Sequence, residues 1–171
     1  MREVVLSLGS NIGDSPVILQ GAVRDLAAAE GIVVTDVSAV FETDPVGGPE
    51  QRAFLNAIVL AETTLLNHEL LAGVQAVEQH WLRTREVHWG PRTLDVDIVA
   101  VGDEVYEDPD LIIPHRLAHE RAFVLVPWVD VDPDAWLVGH GPVADLLADL
   151  DVSGVRRTSV RLEVPPTAFE G

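Results

Sequence analysis

Two aspartates one residue apart, Asp95 and Asp97, interrupt the otherwise apolar run "TLDVDIV" that starts at Thr93. On a strand, residues two apart share a face, so both carboxylates project together while Leu94, Val96 and Ile98 point the other way. Paired carboxylate oxygens, in a chain without cysteine and with no histidine cluster beside them, favour a hard cation such as Mg²⁺. An isolated D-x-D pair is more simply the solvated outer face of an edge strand. Its company changes that reading. Arg83, Arg85 and Arg92 fall within ten residues that hold one acid, Glu86. Each alone suits a surface ion pair, but together they form a positive island beside the carboxylates. Metal-bound carboxylates with guanidinium groups are recurring equipment for polyphosphate, where they absorb charge on the transferred group.

Further candidates lie in "IPHRLAHERAF", residues 113–123, which carries His115, Arg116, His119, Arg121 and Phe123. His115 reads either as a donor to phosphate or as a loop residue satisfied by backbone. Arg116 and His119 read equally well as decoration on a helix. In "AFLNA" the strand alternation puts Phe54 and Asn56 on one face. An aromatic ring beside an amide, with Phe123 elsewhere, suits a flat heterocycle held by stacking and hydrogen bonds. "LGSNIGDS", residues 8–15, has neither the lysine nor the glycine spacing of a phosphate loop, and reads as a strand-to-helix turn.

The composition narrows the partners. With 28 acidic against 11 basic residues the formal charge is −17, which repels nucleic acid and anionic membranes but leaves a small phosphate ligand open. All the basic residues are arginine, so a P-loop lysine and a lysine Schiff base are excluded. The start of the chain has no signal-peptide pattern and no apolar run approaches a membrane span, so a cytoplasmic protein is expected.

These side chains need elements to hold them. At 171 residues and 47% hydrophobic, one domain is expected, with a core to about residue 155 and a loosely held tail over 156–171. Strands are expected over 3–9, 32–43, 53–63 and 92–102. A helix is expected over 14–31, with Ser15 as cap, Pro16 in the first turn, an inner face of Val17, Leu19, Ala22, Val23, Leu26 and Ala27, and a stop at Gly31. A second helix is expected over 67–83, capped by Asn67. Residues 44–51 carry turn chemistry and read as a mobile loop. The segment "IPHRLAHERAFVLVPW", residues 113–128, reads as a loop and then a short helix, and another helix is expected near 143–150. The order β-α-β-β-α-β predicts an α+β, ferredoxin-like fold, an antiparallel sheet with both helices on one face.

"LGSN", "FETDPVG", "FLNA", "WGPRTLDVD" and "PHRLAHERAF" occur here in one order. In that order the chain resembles the 6-hydroxymethyl-7,8-dihydropterin pyrophosphokinase family, from about residue 4 into the 120s. The resemblance implies a ferredoxin-like core and transfer of pyrophosphate from ATP to the pterin's hydroxymethyl oxygen, with release of AMP, in folate biosynthesis. It implies that Asp95 and Asp97 hold Mg²⁺, two ions in all, and that Arg83 and Arg92 act with them on the phosphates. ATP contacts are implied for Gln75, Glu78, Arg83, Arg85, Trp89, Arg92, Ile98, His115, Arg116 and Arg121. Pterin contacts are implied for Phe54, Asn56, Asp95 and Phe123, and for the segment Thr43, Asp44, Pro45 and Val46. ATP and the pterin are then the partners of a monomer.

Several positions depart from the family pattern. Arg116 stands where some members have tyrosine, Leu82 replaces a common glycine, and Glu86 and His88 fill loop positions that are often basic. Two other readings stand beside this one. A metal-dependent nucleotidyltransferase carries Gly-Ser shortly before D-x-D, whereas Gly9-Ser10 precedes Asp95 by 85 residues. A non-catalytic acidic module would bind Mg²⁺ or Ca²⁺ and ignore ATP and pterin.

Overall fold

Val4, Leu6 and Leu8 give the first strand, β1 (Arg2–Ser10), one wholly buried apolar face. In a computed structural model, which describes residues 1–10, 15–44, 54–84 and 94–166, β1 lies inside a six-stranded sheet. After it come α1 (Ser15–Ala28), β2 (Ile32–Val37), β3 (Phe41–Thr43), β4 (Phe54–Thr63), α2 (Asn67–Thr84) and β5 (Asp95–Val101). β1 pairs with β4 on one side and β5 on the other, both antiparallel. β2 and β3 share the far edge of β4. The result is a mixed helix and antiparallel-sheet fold of the α+β class.

α1 and α2 cover one face. Ile18, Leu19, Ala22, Val23 and Leu26 from α1, with Leu70, Val74 and Val77 from α2, bury against Leu6, Leu8, Val34, Val59 and Ile98. The inner face of α1 differs by one position from the expected stripe, since Val17 is exposed and Ile18 is buried in its place. Gly31 ends that segment at φ 85°, a conformation that costs glycine little.

Residues 32–43, expected as one strand, form two. The break falls at Ser38, whose Oγ accepts the Ile58 N–H at 2.9 Å while its own N–H donates to the Ile58 carbonyl. The side chain takes a ladder position that a carbonyl would fill, and Ala39 N–H turns away to Asp130. Asn67 is not the cap of α2. Leu66 supplies the carbonyl for Leu70 N–H, and Glu69 reaches back to Leu66 N–H at 2.8 Å, half of a capping box. The Asn67 side chain instead bridges Arg2 and Glu104.

Beyond β5 the chain makes a small hairpin, β6 (Tyr106–Glu107) with β7 (Ile112–Ile113), then a 3₁₀ turn at Ala118–Glu120 and α3 (Ala122–Val131). A second hairpin, β8 (Trp136–Leu137) with β9 (Gly141–Pro142), leads into α4 (Val143–Ala148). Val124, Leu125 and Trp128 of α3 pack with Leu137 and Val143 on Ile58 and Val99, the second face of the sheet. The segment beyond 155 is held more firmly than expected through residue 163. β10 (Val155–Arg157) pairs with β3, Leu162 is buried in the main core, and Glu163 exchanges hydrogen bonds with Gln20.

Candidate active site

Three neighbouring strands change character along their length. On the second face β4 presents Leu60 and Ile58, then Asn56 and Phe54. β1 presents Val5, then Ser7 and Gly9, and β5 presents Val99, then Asp97 and Asp95. The apolar halves lie under α3 and α4. The polar halves form a cavity of about 250 Å³, completed by Thr43, Asp44, Arg121 and Phe123. Among the described residues, the site is the part of this sheet face that α3 and α4 leave uncovered.

The register fixes its geometry. Gly9 lies between Asn56 on β4 and Asp95 on β5, and Ser7 lies opposite Asp97. A Cβ at Gly9 would stand 3.1 Å from Asn56 Oδ1, so glycine gives the amide room. Asn56, itself buried, donates its Nδ2 to Thr43 Oγ1 at 2.6 Å. The Arg121 guanidinium lies 5.5 Å from the centre of the Phe123 ring, near enough for cation–π attraction. Arg121 is fixed from below, because its carbonyl accepts the first N–H groups of α3.

A second cleft of about 300 Å³ opens along the outer edge of β5. Val96, Asp97, Ile98, Leu111, His115 and Arg116 are among its lining residues, so Asp97 borders both cavities. Its outer rim is shaped by Asp108, whose Oδ1 accepts Asp110 and Leu111 N–H groups. The Ile98 side chain is buried in the core. Val96 N–H points out of the sheet edge to Glu78 Oε2 at 2.8 Å, and the backbone of Ile98, two residues on, faces the same way.

Of the two descriptions open to His115 from sequence, the structure shows the loop residue satisfied by backbone. Its backbone N–H donates to the Val99 carbonyl, and its ring Nδ1 accepts Leu117 N–H at 3.2 Å. That leaves the proton of the neutral ring on Nε2, free to act as a donor. Burial pushes the His115 pKa below its ordinary 6.5; Asp97 pulls it up and Arg121 down.

Of the expected site residues, Thr43, Asp44, Phe54, Asn56, Asp95, Asp97, Arg121 and Phe123 line one cavity. Ile98, His115 and Arg116 line the cleft that meets it. Gln75 and Glu78 line neither: Gln75 is exposed on α2, and the Glu78 carboxylate holds the Val96 N–H. Arg83 falls in the last turn of α2, while Pro45, Val46, Arg85, Trp89 and Arg92 lie outside the described residues. His119 is no helix ornament, since its ring stacks on His140 with centroids 4.1 Å apart. Ser7 and Gly9 line the cavity without having been expected there. The available signal was a serine between two core leucines, Leu6 and Leu8.

Asp95 and Asp97 bring hard oxygen donors to one wall of the cavity, a donor set that fits Mg²⁺. An aromatic and amide-bearing cavity, paired carboxylates and an adjoining cleft on an α+β frame define a small-molecule enzyme.

Residues 5–133, three quarters of the chain, match the 7,8-dihydro-6-hydroxymethylpterin-pyrophosphokinase (HPPK) family. The chain is 45% identical over 157 residues to the 2-amino-4-hydroxy-6-hydroxymethyldihydropteridine pyrophosphokinase of Methylorubrum extorquens, covering 92% of this chain and 99% of that one. The Bacillus subtilis protein of the same name is 46% identical over 126 residues, 74% of this chain and 75% of its own. Among solved structures, wild-type Plasmodium falciparum HPPK-DHPS matches with a TM-score of 0.69 at 15% identity over 86% of this chain, a likeness of fold alone. This chain spans 43% of that larger one. The chain belongs to the HPPK family.

Proposed function

We propose that the protein transfers pyrophosphate from ATP to the hydroxymethyl oxygen of 6-hydroxymethyl-7,8-dihydropterin, releasing AMP, as a step of folate biosynthesis. The observation that carries this reading is the position of Asp97 on the boundary of two cavities of different chemistry. One offers rings and an amide to a flat heterocycle. The other runs along a strand edge beside His115 and Arg116. Substrates in the two would meet at the paired carboxylates.

The pterin would lie among Phe54, Phe123, Thr43 and Asn56, with Asn56 reading its hydrogen-bonding edge. Asp44, Pro45 and Val46 would continue that contact along the backbone. ATP would lie in the cleft. The outward backbone of Ile98 would meet its base, with Gln75 and Glu78 near the nucleotide, and the neutral His115 would donate from Nε2. Arg116, Arg121, Arg83, Arg85 and Arg92 would contact phosphate, with Trp89 in the same loop. Forked guanidinium groups suit phosphate oxygens, and this chain has no lysine to share the task.

Asp95 and Asp97 would hold two Mg²⁺ ions; bound there, the metal supplies charge screening for the polyphosphate. The hydroxymethyl oxygen attacks the β-phosphorus, the bond from that phosphorus to the bridging α-phosphate oxygen breaks, and AMP leaves with that oxygen. The hydroxyl proton passes to an acceptor, for which the cavity offers carboxylates. Positioning and electrostatic stabilisation carry most of the rate, as in phosphoryl transfer generally.

The reading includes a single-domain monomer of ferredoxin-like fold. Strand neighbours β5-β1-β4 with β2 on the far edge of β4, and α1 and α2 on one face, support the βαββαβ order. A charge of −17 argues against nucleic acid as a partner. Incubating the protein with MgATP and 6-hydroxymethyl-7,8-dihydropterin tests the reading. AMP accumulating with the pterin diphosphate supports it. ADP would mean a different transfer, and no turnover would favour a binding module.

A further inference from the structure

We propose that Arg156, in the C-terminal strand, is a positioning residue for the pterin cavity, acting through Asp44. The proposal rests on the reading of that cavity given above. β10 lies outside residues 5–133, the span that matches the family, yet it pairs with β3 at the cavity wall.

β3 has only three residues, and it delivers Thr43 and then Asp44 to the cavity. Pairing with β4 alone would leave it a short edge strand, which frays readily. β10 closes its open side, with Val155 opposite Thr43 and Arg156 opposite Glu42. The Asp44 N–H then donates to the Gly154 carbonyl at 3.0 Å, which extends the hold one residue past the strand.

Arg156 completes that hold. Its Nη2 donates to Asp44 Oδ1 at 2.8 Å and lies 3.7 Å from Glu42 Oε1. Glu42, on the strand, and Asp44, one residue past its end, both lie within 3.7 Å of the one guanidinium, which offsets the repulsion of their like charges. The ion pair keeps the Asp44 carboxyl below the usual carboxylate range. Asp44 adjoins Thr43, and Thr43 receives the Asn56 amide at 2.6 Å. A backbone that drifts at Asp44 therefore moves the acceptor that orients Asn56.

The pair is half exposed, so its effect is modest and screened by salt. The test is a binding measurement: fluorescence titration of 6-hydroxymethylpterin at saturating Mg²⁺ and a non-hydrolysable ATP analogue, with the analogue's own Kd measured in parallel. Arg156→Met should raise the pterin Kd about two- to five-fold and leave the nucleotide Kd unchanged. Arg156→Lys should stay near wild type, and it also serves if the methionine variant does not fold. Raising NaCl should weaken pterin binding to the wild type but not to Arg156→Met. An unchanged pterin Kd in Arg156→Met, or equal losses for both ligands, would overturn the proposal. If the wild type binds no pterin, the reading of the cavity itself fails, a result distinct from either.

Discussion

Asn56 and Thr43 meet across the β3–β4 pair, the amide donating to the hydroxyl at 2.6 Å inside the cavity. The contact holds the amide in one orientation before any ligand arrives. Such a preorganised polar group discriminates strongly, because a ligand that fails to match it leaves a buried group unpaired. Asn56→Leu should therefore weaken pterin binding by about 1–3 kcal/mol, roughly five- to 150-fold, with ATP binding intact. Isothermal titration with each ligand separately checks both halves of that expectation.

Removing either carboxylate of the D-x-D pair attacks the reaction without attacking the fold. Asp97 is exposed and Asp95 half-buried on a strand whose core face is Val96 and Ile98. Asp95→Ala and Asp97→Ala should each cut AMP formation by at least about a hundred-fold, while thermal melting stays close to wild type. Chelating divalent metal with EDTA should do the same to the unaltered protein, reversibly. Full activity in both variants would remove the metal assignment.

The half-buried His115 predicts an acid sensitivity of known sign. Its folded pKa lies below 6.5, so as pH falls through about 6.5 the unfolded chain takes up a proton that the folded chain refuses. Stability therefore rises with pH across the window between the lowered value and 6.5. His115→Gln removes this contribution. Urea titrations of the metal-free protein should show the wild type losing stability faster than the variant on acidification through that window. Parallel curves would contradict it.

Gly21 offers a test of packing against propensity. Alanine in place of a mid-helix glycine ordinarily stabilises by about 0.5–1 kcal/mol. Here a Cβ on Gly21 would fall 2.0 Å from the ring of Trp81, which donates its indole N–H to Asp25 at 3.1 Å between α1 and α2. Overpacking typically costs about 1–3 kcal/mol, so it wins. Gly21→Ala should lower the denaturant midpoint; a rise would show that Trp81 can move aside cheaply.

Much of the site was legible because strand alternation is a simple code. It puts Asp95 with Asp97, and Phe54 with Asn56, on shared faces, and the structure joins the two pairs through β1. What alternation could not supply was the neighbour relation itself, which needs the pairing of β1 with both β4 and β5. Gly9 and Ser7 stayed hidden for that reason, their roles depending on what lies across the ladder. The break at Ser38 was hidden too, because a serine hydroxyl competing for a ladder hydrogen bond leaves no mark on hydrophobic periodicity. The hold on residues 155–163 was hard to foresee as well. Val155–Arg157 is a short strand with one apolar residue, and its pairing is decided by the open edge of β3 rather than by its own sequence. Assigning pterin and pyrophosphate drew on family resemblance, since periodicity and charge reach only as far as a metal-bound polyphosphate.

The central claim is that two phosphates move together, and the destination of the β-phosphorus tests it most directly. The protein is incubated with 6-hydroxymethyl-7,8-dihydropterin and MgATP radiolabelled at the β-phosphorus, and the products are separated. The account predicts that the label leaves the nucleotide and appears in the pterin product, with unlabelled AMP remaining. Label retained in ADP, beside an unlabelled pterin phosphate, would contradict it.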